Sequence, residues 1–236
     1  MPPIYKTNLK RNVGSKADAR KIYYLLEGNV TEPSFFDNLF EHTNFIDTKE
    51  IRIIKCDKTD NDKGATNCLS MIKLAKNYLE NTKDFKKDYD KVLIVFDLDV
   101  YKGRLSELTQ IVKKEKDIIF GFSNPSFELF LLMCLDKNFI KNLDNKTKEK
   151  IVANECDGND RFIYHLIKRD YKFNSKSKNA DFLKLAKNIE NAFNQEINIY
   201  LDKSANKLTC NIPYILKCIK DNKLNSIKYL TENKEQ

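Results

Sequence analysis

Short apolar runs and amphipathic stretches alternate along the first half of the chain. Residues 21–26 hold Ile22-Tyr23-Tyr24-Leu25-Leu26, a compact run of the kind found in strands covered on both faces of a parallel sheet. Residues 50–56 alternate about Ile51 and Ile53. Residues 91–96 carry the unbroken Val92-Leu93-Ile94-Val95-Phe96 between charges, and residues 117–122 carry Ile118-Ile119-Phe120. Helical spacing fills the intervals. Phe36, Leu39 and Phe40 share one face, as do Leu69, Ile72, Ala75 and Leu79, and a further helix is predicted near 104–116. Thr31 is a suitable N-cap for the first helix, with Glu32 and Pro33 in its first turn. Pro125 opens an apolar helix over 126–135.

Four repeats of strand followed by helix predict an α/β fold, a parallel sheet with helices on both faces. From Lys137 the chain becomes rich in Lys and Asn, with helical segments at 162–168, 181–193 and 212–219. The organisation expected is a basic flexible tail (1–20), an α/β core (21–136) and a mainly helical C-terminal part (137–236), either a cap folded on the sheet or a small subdomain. Ligands of such sheets bind beyond the carboxyl ends of the strands, where strand order reverses.

Composition narrows the chemistry. The 236 residues suffice for one large domain or a core with an appendage. No apolar run approaches the roughly 20 residues that span a bilayer, and the polar start lacks a secretion signal, so a cytoplasmic protein without a membrane segment is expected. Six cysteines without a CxxC, and only His42 and His165 besides, exclude a zinc finger or a deaminase site; most of the thiols read as buried. A net charge of +8, from 42 basic against 34 acidic residues, favours an acidic partner such as nucleic acid. Lys- and Asn-rich, Gly-poor composition explains part of that excess without any binding role.

Against this basic background, carboxylates stand at predicted strand ends: Glu27 after the first strand, Asp97 and Asp99 after the third, Glu128 shortly after the fourth. Acids brought to one rim repel unless a cation lies between them, and hard oxygen ligands suit Mg²⁺ or Mn²⁺. Two-residue alternation would put Asp97 and Asp99 on one side of an extended strand. Each residue alone also has a plainer reading. Glu27 could be a solvated strand-end acid before a turn glycine, Glu32 a dipole-favoured first-turn acid, and Asp97-Leu98-Asp99 a strand running into a loop. Ser123 or Asn124 could cap the helix that carries Glu128, or hold a phosphate or a metal-bound water. Tyr171 and Lys172 could stack on a base and touch a phosphate, or simply end a helix.

Glu27-Gly28-x-x-Thr31-Glu32-Pro33, Phe96-Asp97-x-Asp99 and Ser123-Asn124-Pro125-x-Phe127-Glu128, in that order and spacing, resemble the signature of the RloB family, and Tyr171-Lys172 resembles a later family element. The resemblance implies a Toprim-like parallel sheet flanked by helices, with a mainly helical C-terminal part. It implies a Mg²⁺- or Mn²⁺-dependent nuclease acting on DNA or RNA in bacterial anti-phage defence, often beside an ABC- or AAA-type ATPase. By position, Glu27 matches the Toprim glutamate, Asp97 and Asp99 its DxD pair, Glu32 the second acid of OLD-like nucleases, and Glu128 an extra ligand. Bound metal would polarise a phosphodiester and activate water, with Glu27 as ligand or general base and Lys102 neutralising developing phosphate charge. Asn124, Tyr171 and Lys172 are the expected nucleic-acid contacts.

Two other classes remain open. One is a non-catalytic nucleic-acid-binding or sensor subunit. The other is a haloacid-dehalogenase-like phosphatase, which also carries DxD after a strand but normally after the first. The sequence leaves DNA versus RNA and a possible homo-oligomer undecided.

Overall fold

The apolar runs become the middle of a sheet because their side chains need cover on both faces. A computed structural model describes residues 18–228 apart from 48, 57, 59–66, 102 and 178–179. The first half runs β1 (Arg20–Leu26), α1 (Thr31–His42), β2 (Ile51–Lys55), α2 (Cys68–Asn81), β3 (Lys91–Asp97), α3 (Leu105–Val112), β4 (Ile118–Asn124) and α4 (Glu128–Leu135). The second half continues through α5 (Phe139–Asn142), α6 (Asn145–Ala153), a hairpin of β5 (Cys156–Asp157) and β6 (Asp160–Arg161), α7 (Phe162–Asp170), α8 (Phe182–Lys187), α9 (Glu190–Phe193), β7 (Thr209–Cys210) and α10 (Ile212–Lys220).

The sheet has the order β2-β1-β3-β4-β7. Its first four strands are parallel, in the register Ile22↔Lys91, Leu26↔Val95 and Asp97↔Ser123. Neighbouring residues of β1 serve opposite layers, as a pleated strand requires. Tyr23 packs on Tyr78 of α2, whereas Tyr24 packs on Phe36 and Phe40 of α1. Phe35 of α1 reaches Phe127 and Phe130 around α4. Residues 129–134 of α4 are all buried, so this helix is apolar all round and lies between the sheet and α7, α8 and α9. At Gly121 an added Cβ would stand 3.2 Å from Val95 and 3.6 Å from Ile212, which shows how closely α10 approaches β4.

The fold is α/β as expected, with three local differences. Arg20, assigned to the tail, is the first residue of β1, while residues 1–17 lie outside the described ones. The helix expected over 181–193 is two pieces, broken where the N–H of Asn188 turns back onto the carbonyls of Lys184 and Leu185. The third difference is a fifth, antiparallel strand: β7 pairs Ser123 with Cys210 and Asn124 with Thr209, so the C-terminal part completes the sheet. Two residues give too short a pattern to be read from sequence. The six cysteines are free thiols, all buried except Cys156. Among the described residues no helix is long and apolar enough to cross a membrane.

Where β7 stops, Asn211 takes over the edge of β4. Its Oδ1 accepts from the N–H of Phe122 at 2.7 Å and its Nδ2 donates to the carbonyl of Phe120 at 2.8 Å, fully buried. Asn211→Ala strands both backbone groups, and an unsatisfied buried group costs about 1–3 kcal/mol. Urea denaturation should therefore show a loss of about 2–4 kcal/mol with an unchanged m-value.

Candidate metal centre

The first site residue is positioned by the ends of two strands. β1 gives its last ladder bond at Glu27, whose N–H donates to the carbonyl of Val95 at 3.0 Å. The side chain of Glu27 then substitutes for the missing strand: its Oε2 accepts the N–H of Asp97 at 2.9 Å. β2 lies to one side of β1 and β3 to the other, so Glu27 and Asp97 meet where strand order reverses.

The extended geometry expected for Asp97-Leu98-Asp99 does not hold. β3 ends at Asp97, Leu98 donates to the carbonyl of Ser123, and Asp99–Tyr101 forms a 3₁₀ turn with the Asp99 N–H directed to the carbonyl of Pro125 at 3.3 Å. The alternation argument therefore fails. Asp99 comes near its partners through the turn.

Glu32 and Glu128 come from helix starts. Thr31 is not the N-cap of α1; Val30 is, and the Thr31 Oγ1 donates instead to the carbonyl of Ser175 at 3.0 Å. Glu32 folds back over Gly28. A Cβ on residue 28 would lie 2.0 Å from Glu32 Oε2, so glycine is required for this close approach. Glu128 begins α4 after Phe127, with neither Ser123 nor Asn124 capping the helix. Its two oxygens accept from the hydroxyls of Ser126 at 2.7 Å and Ser175 at 3.2 Å.

Three of the carboxylates, Asp97, Glu32 and Glu27, hold protons more tightly than free ones. Asp97 lies well above the usual carboxylate range, first through burial, then through the charges of Glu32, Glu128, Glu27 and Asp99 in that order. Burial also raises Glu32, reinforced by Glu128 and Glu27 and opposed by its backbone N–H donors. Glu27 is pushed up to about 6 by burial and by Asp99, against the Asp97 N–H and the Lys58 ammonium. The charge that Asp97 feels most strongly is that of Glu32, then that of Glu128, while Glu27 feels Asp99. Lys58 donates to the carbonyl of Glu27 at 2.8 Å.

Among the described residues no three Asp, Glu, His or Cys side chains are disposed to hold a metal ion as they stand. Glu27 accepts from Asp97, and Glu128 from Ser126 and Ser175, instead. The donor set nevertheless fits a hard divalent cation: it is all oxygen, burial and neighbouring carboxylates raise the proton affinity of Asp97, Glu32 and Glu27, and the buried Ser123 Oγ beside Asp97 in the register has no hydrogen-bond partner among the described residues. Asp97, Glu32 and Glu128, with Glu27 and Asp99, are the residues that would hold it.

The remaining expected residues are dispersed. Lys102 lies outside the described residues. Asn124 is buried and its Nδ2 donates to the carbonyls of Ser204 and Lys207, at 2.9 and 2.7 Å, so the amide expected to meet a phosphate ties β4 to the C-terminal part. Tyr171 stands against Phe139, and its hydroxyl donates to Asp136 at 3.2 Å; its ring faces the helical half rather than solvent bases. Lys172 is exposed, in a left-handed conformation with φ 55°. Sequence reasoning missed Ser175 and Lys58. Neither sits in a motif, and only the fold brings them to the acids.

The chain matches the RloB-like protein family over residues 22–219. It belongs to that family. No curated protein and no solved structure matches it. The RloB-like region takes in both halves of the fold, from the first site strand through Ser175 to α10.

Two outcomes follow from this geometry. Glu27 has a folded value of about 6 against an ordinary 4.5, so the native state binds its proton more tightly than the unfolded chain does, and that advantage is lost as pH rises through the window. In EDTA, stability of the wild type relative to Glu27→Gln should fall by about 2 kcal/mol between pH 4.5 and 7, read by urea denaturation at each pH. Gly28→Ala should displace Glu32 and cost about 1–3 kcal/mol of stability, read by urea denaturation.

Proposed function

We propose that this RloB-like protein is a Toprim-type nuclease that uses Mg²⁺ or Mn²⁺ to cleave phosphodiesters of DNA or RNA. One observation carries the reading. Five carboxylates from four separate segments gather at the strand-order reversal of a parallel sheet, and Asp97, Glu32 and Glu27 are all raised in proton affinity there. Such charge concentration is costly in a fold and is expected where a cation or a proton transfer uses it.

A divalent cation bound here supplies Lewis-acid polarisation of the phosphodiester and an acidified water. The protein residues do the rest. Asp97, held at the rim by the β3–β4 register, and the hydroxyl-anchored Glu128 present oxygens from fixed elements. Glu32 is locked onto Gly28. Glu27 has its Oε2 engaged by the Asp97 N–H, which leaves Oε1 to take a proton from the attacking water. A value of about 6 suits a general base working near neutral pH. A role in anti-phage defence, and control by an ABC- or AAA-type ATPase, accompany the family resemblance as parts of the same proposal.

The test is cleavage of single- and double-stranded DNA and of RNA by the purified chain with Mg²⁺ or Mn²⁺, alone and with an ABC- or AAA-type ATPase added. Glu27→Ala and Asp97→Ala should each lower the rate on the order of 10³-fold, the several kcal/mol that a metal site contributes. Both variants cutting as fast as wild type would overturn the assignment. Tight nucleic-acid binding without turnover under every condition would make the protein a binding subunit.

A further inference from the structure

Beside the acids lies a cavity of ≈ 200 Å³ at the carboxyl ends of β1 and β2, walled by Gly28, Asn29, Pro33, Cys56, Lys55 and Lys58. Its volume is several times the roughly 30 Å³ that one water occupies in the liquid. It has room for a phosphate group with part of its hydration. We propose that this cavity is the phosphate subsite of the metal centre, with Lys58 as its main cation and a non-bridging phosphate oxygen of a nucleic-acid strand as its ligand. The proposal rests on the nuclease reading and names where the strand is held.

Three observations place the ligand. Gly28 is shared: the Glu32 carboxylate lies so close over it that an added Cβ would stand 2.0 Å from Oε2, while the residue also forms cavity wall, so a group in the cavity lies next to the acids. Lys58 bridges the same two places. Its Nζ is 2.8 Å from the carbonyl of Glu27, its charge is felt at both Glu27 and Glu32, and its side chain is half-buried in the cavity wall. Lys55 adds a second cation, partly neutralised by Asp37, whose Oδ2 is 2.6 Å from its Nζ and whose Oδ1 also accepts the Tyr24 hydroxyl.

The physical need is plain. A rim with five carboxylates repels a polyanion, so a phosphate approaching it requires a fixed positive charge at the entrance. An ammonium serves as a point charge that grips any phosphate without reading a base. Binding at Lys58 is therefore indifferent to sequence and dependent on salt. It is also strengthened when a cation neutralises the acids with which Lys58 otherwise interacts.

The experiment is fluorescence anisotropy of a labelled 20-nucleotide single strand, in DNA and RNA forms, with Ca²⁺ present and KCl varied from about 50 to 200 mM. Mn²⁺ binding and thermal melting are measured on the same proteins. Lys58→Met should weaken binding about tenfold at low salt and reduce the slope of log affinity against log salt by about 0.7, the value for one phosphate contact on a single strand. Lys58→Arg should keep both, and Lys58→Gln, with a donor but no charge, should behave as Lys58→Met. Lys55→Met should change affinity threefold or less. An unchanged slope in Lys58→Met and Lys58→Gln overturns the proposal, and so does a loss of affinity that only follows a lowered melting temperature. So does failure of the wild type to bind the strand. Absence of Mn²⁺ binding in wild type, with the Lys58 slope change still present, would sink the metal reading and leave the phosphate subsite standing.

Discussion

Repulsion among like charges at the edge of a buried sheet is the constraint around which this molecule is arranged. Two of the carboxylates at the rim are met by local donors, Glu27 by the Asp97 N–H and Glu128 by two serine hydroxyls, and Glu32 is laid closely over Gly28. Those donors soften the field without removing it. The proton affinities of Asp97, Glu32 and Glu27 remain raised. The backbone details around the rim then have a common cause. β1 must end so that a side chain can take the Asp97 N–H, residue 28 must lack a Cβ, and β3 must turn after Asp97.

Much of the fold was legible because its core strands are buried on both faces. Val92 to Phe96 and Ile22 to Leu26 leave no alternative to a covered sheet, and the helices between them dictate parallel pairing. What escaped was set by contacts distant in sequence. β7 is two residues long and exists because the β4 edge needs partners, and α8 and α9 separate at Asn188 although their apolar spacing reads as one helix.

The site divides along the same line. Glu27, Asp97 and Glu128 could be read from strand and helix ends because such positions are fixed by local pattern. Their grouping could not. Period-two reasoning joined Asp97 to Asp99, yet the strongest charge felt by Asp97 comes from Glu32, in the first turn of α1, where a dipole preference already explained a glutamate. Asn124 sits in a motif and proved to be a structural tie, while Ser175, in no motif, holds an oxygen of Glu128. Motif membership marks a residue as constrained. Only the three-dimensional contacts say by what.

Ser175 joins the two halves of the chain at one point: its carbonyl receives the hydroxyl of Thr31 and its own hydroxyl reaches Glu128. The strap therefore fixes the entry of α1 and the orientation of an acid on α4 together. A fragment cut after residue 136 would keep every strand that bears a carboxylate but lose this strap, the β7 edge and the Asn211 plug. The acidic rim is for that reason not an autonomous module that could be excised or grafted; it is finished by chain far downstream of the last acid.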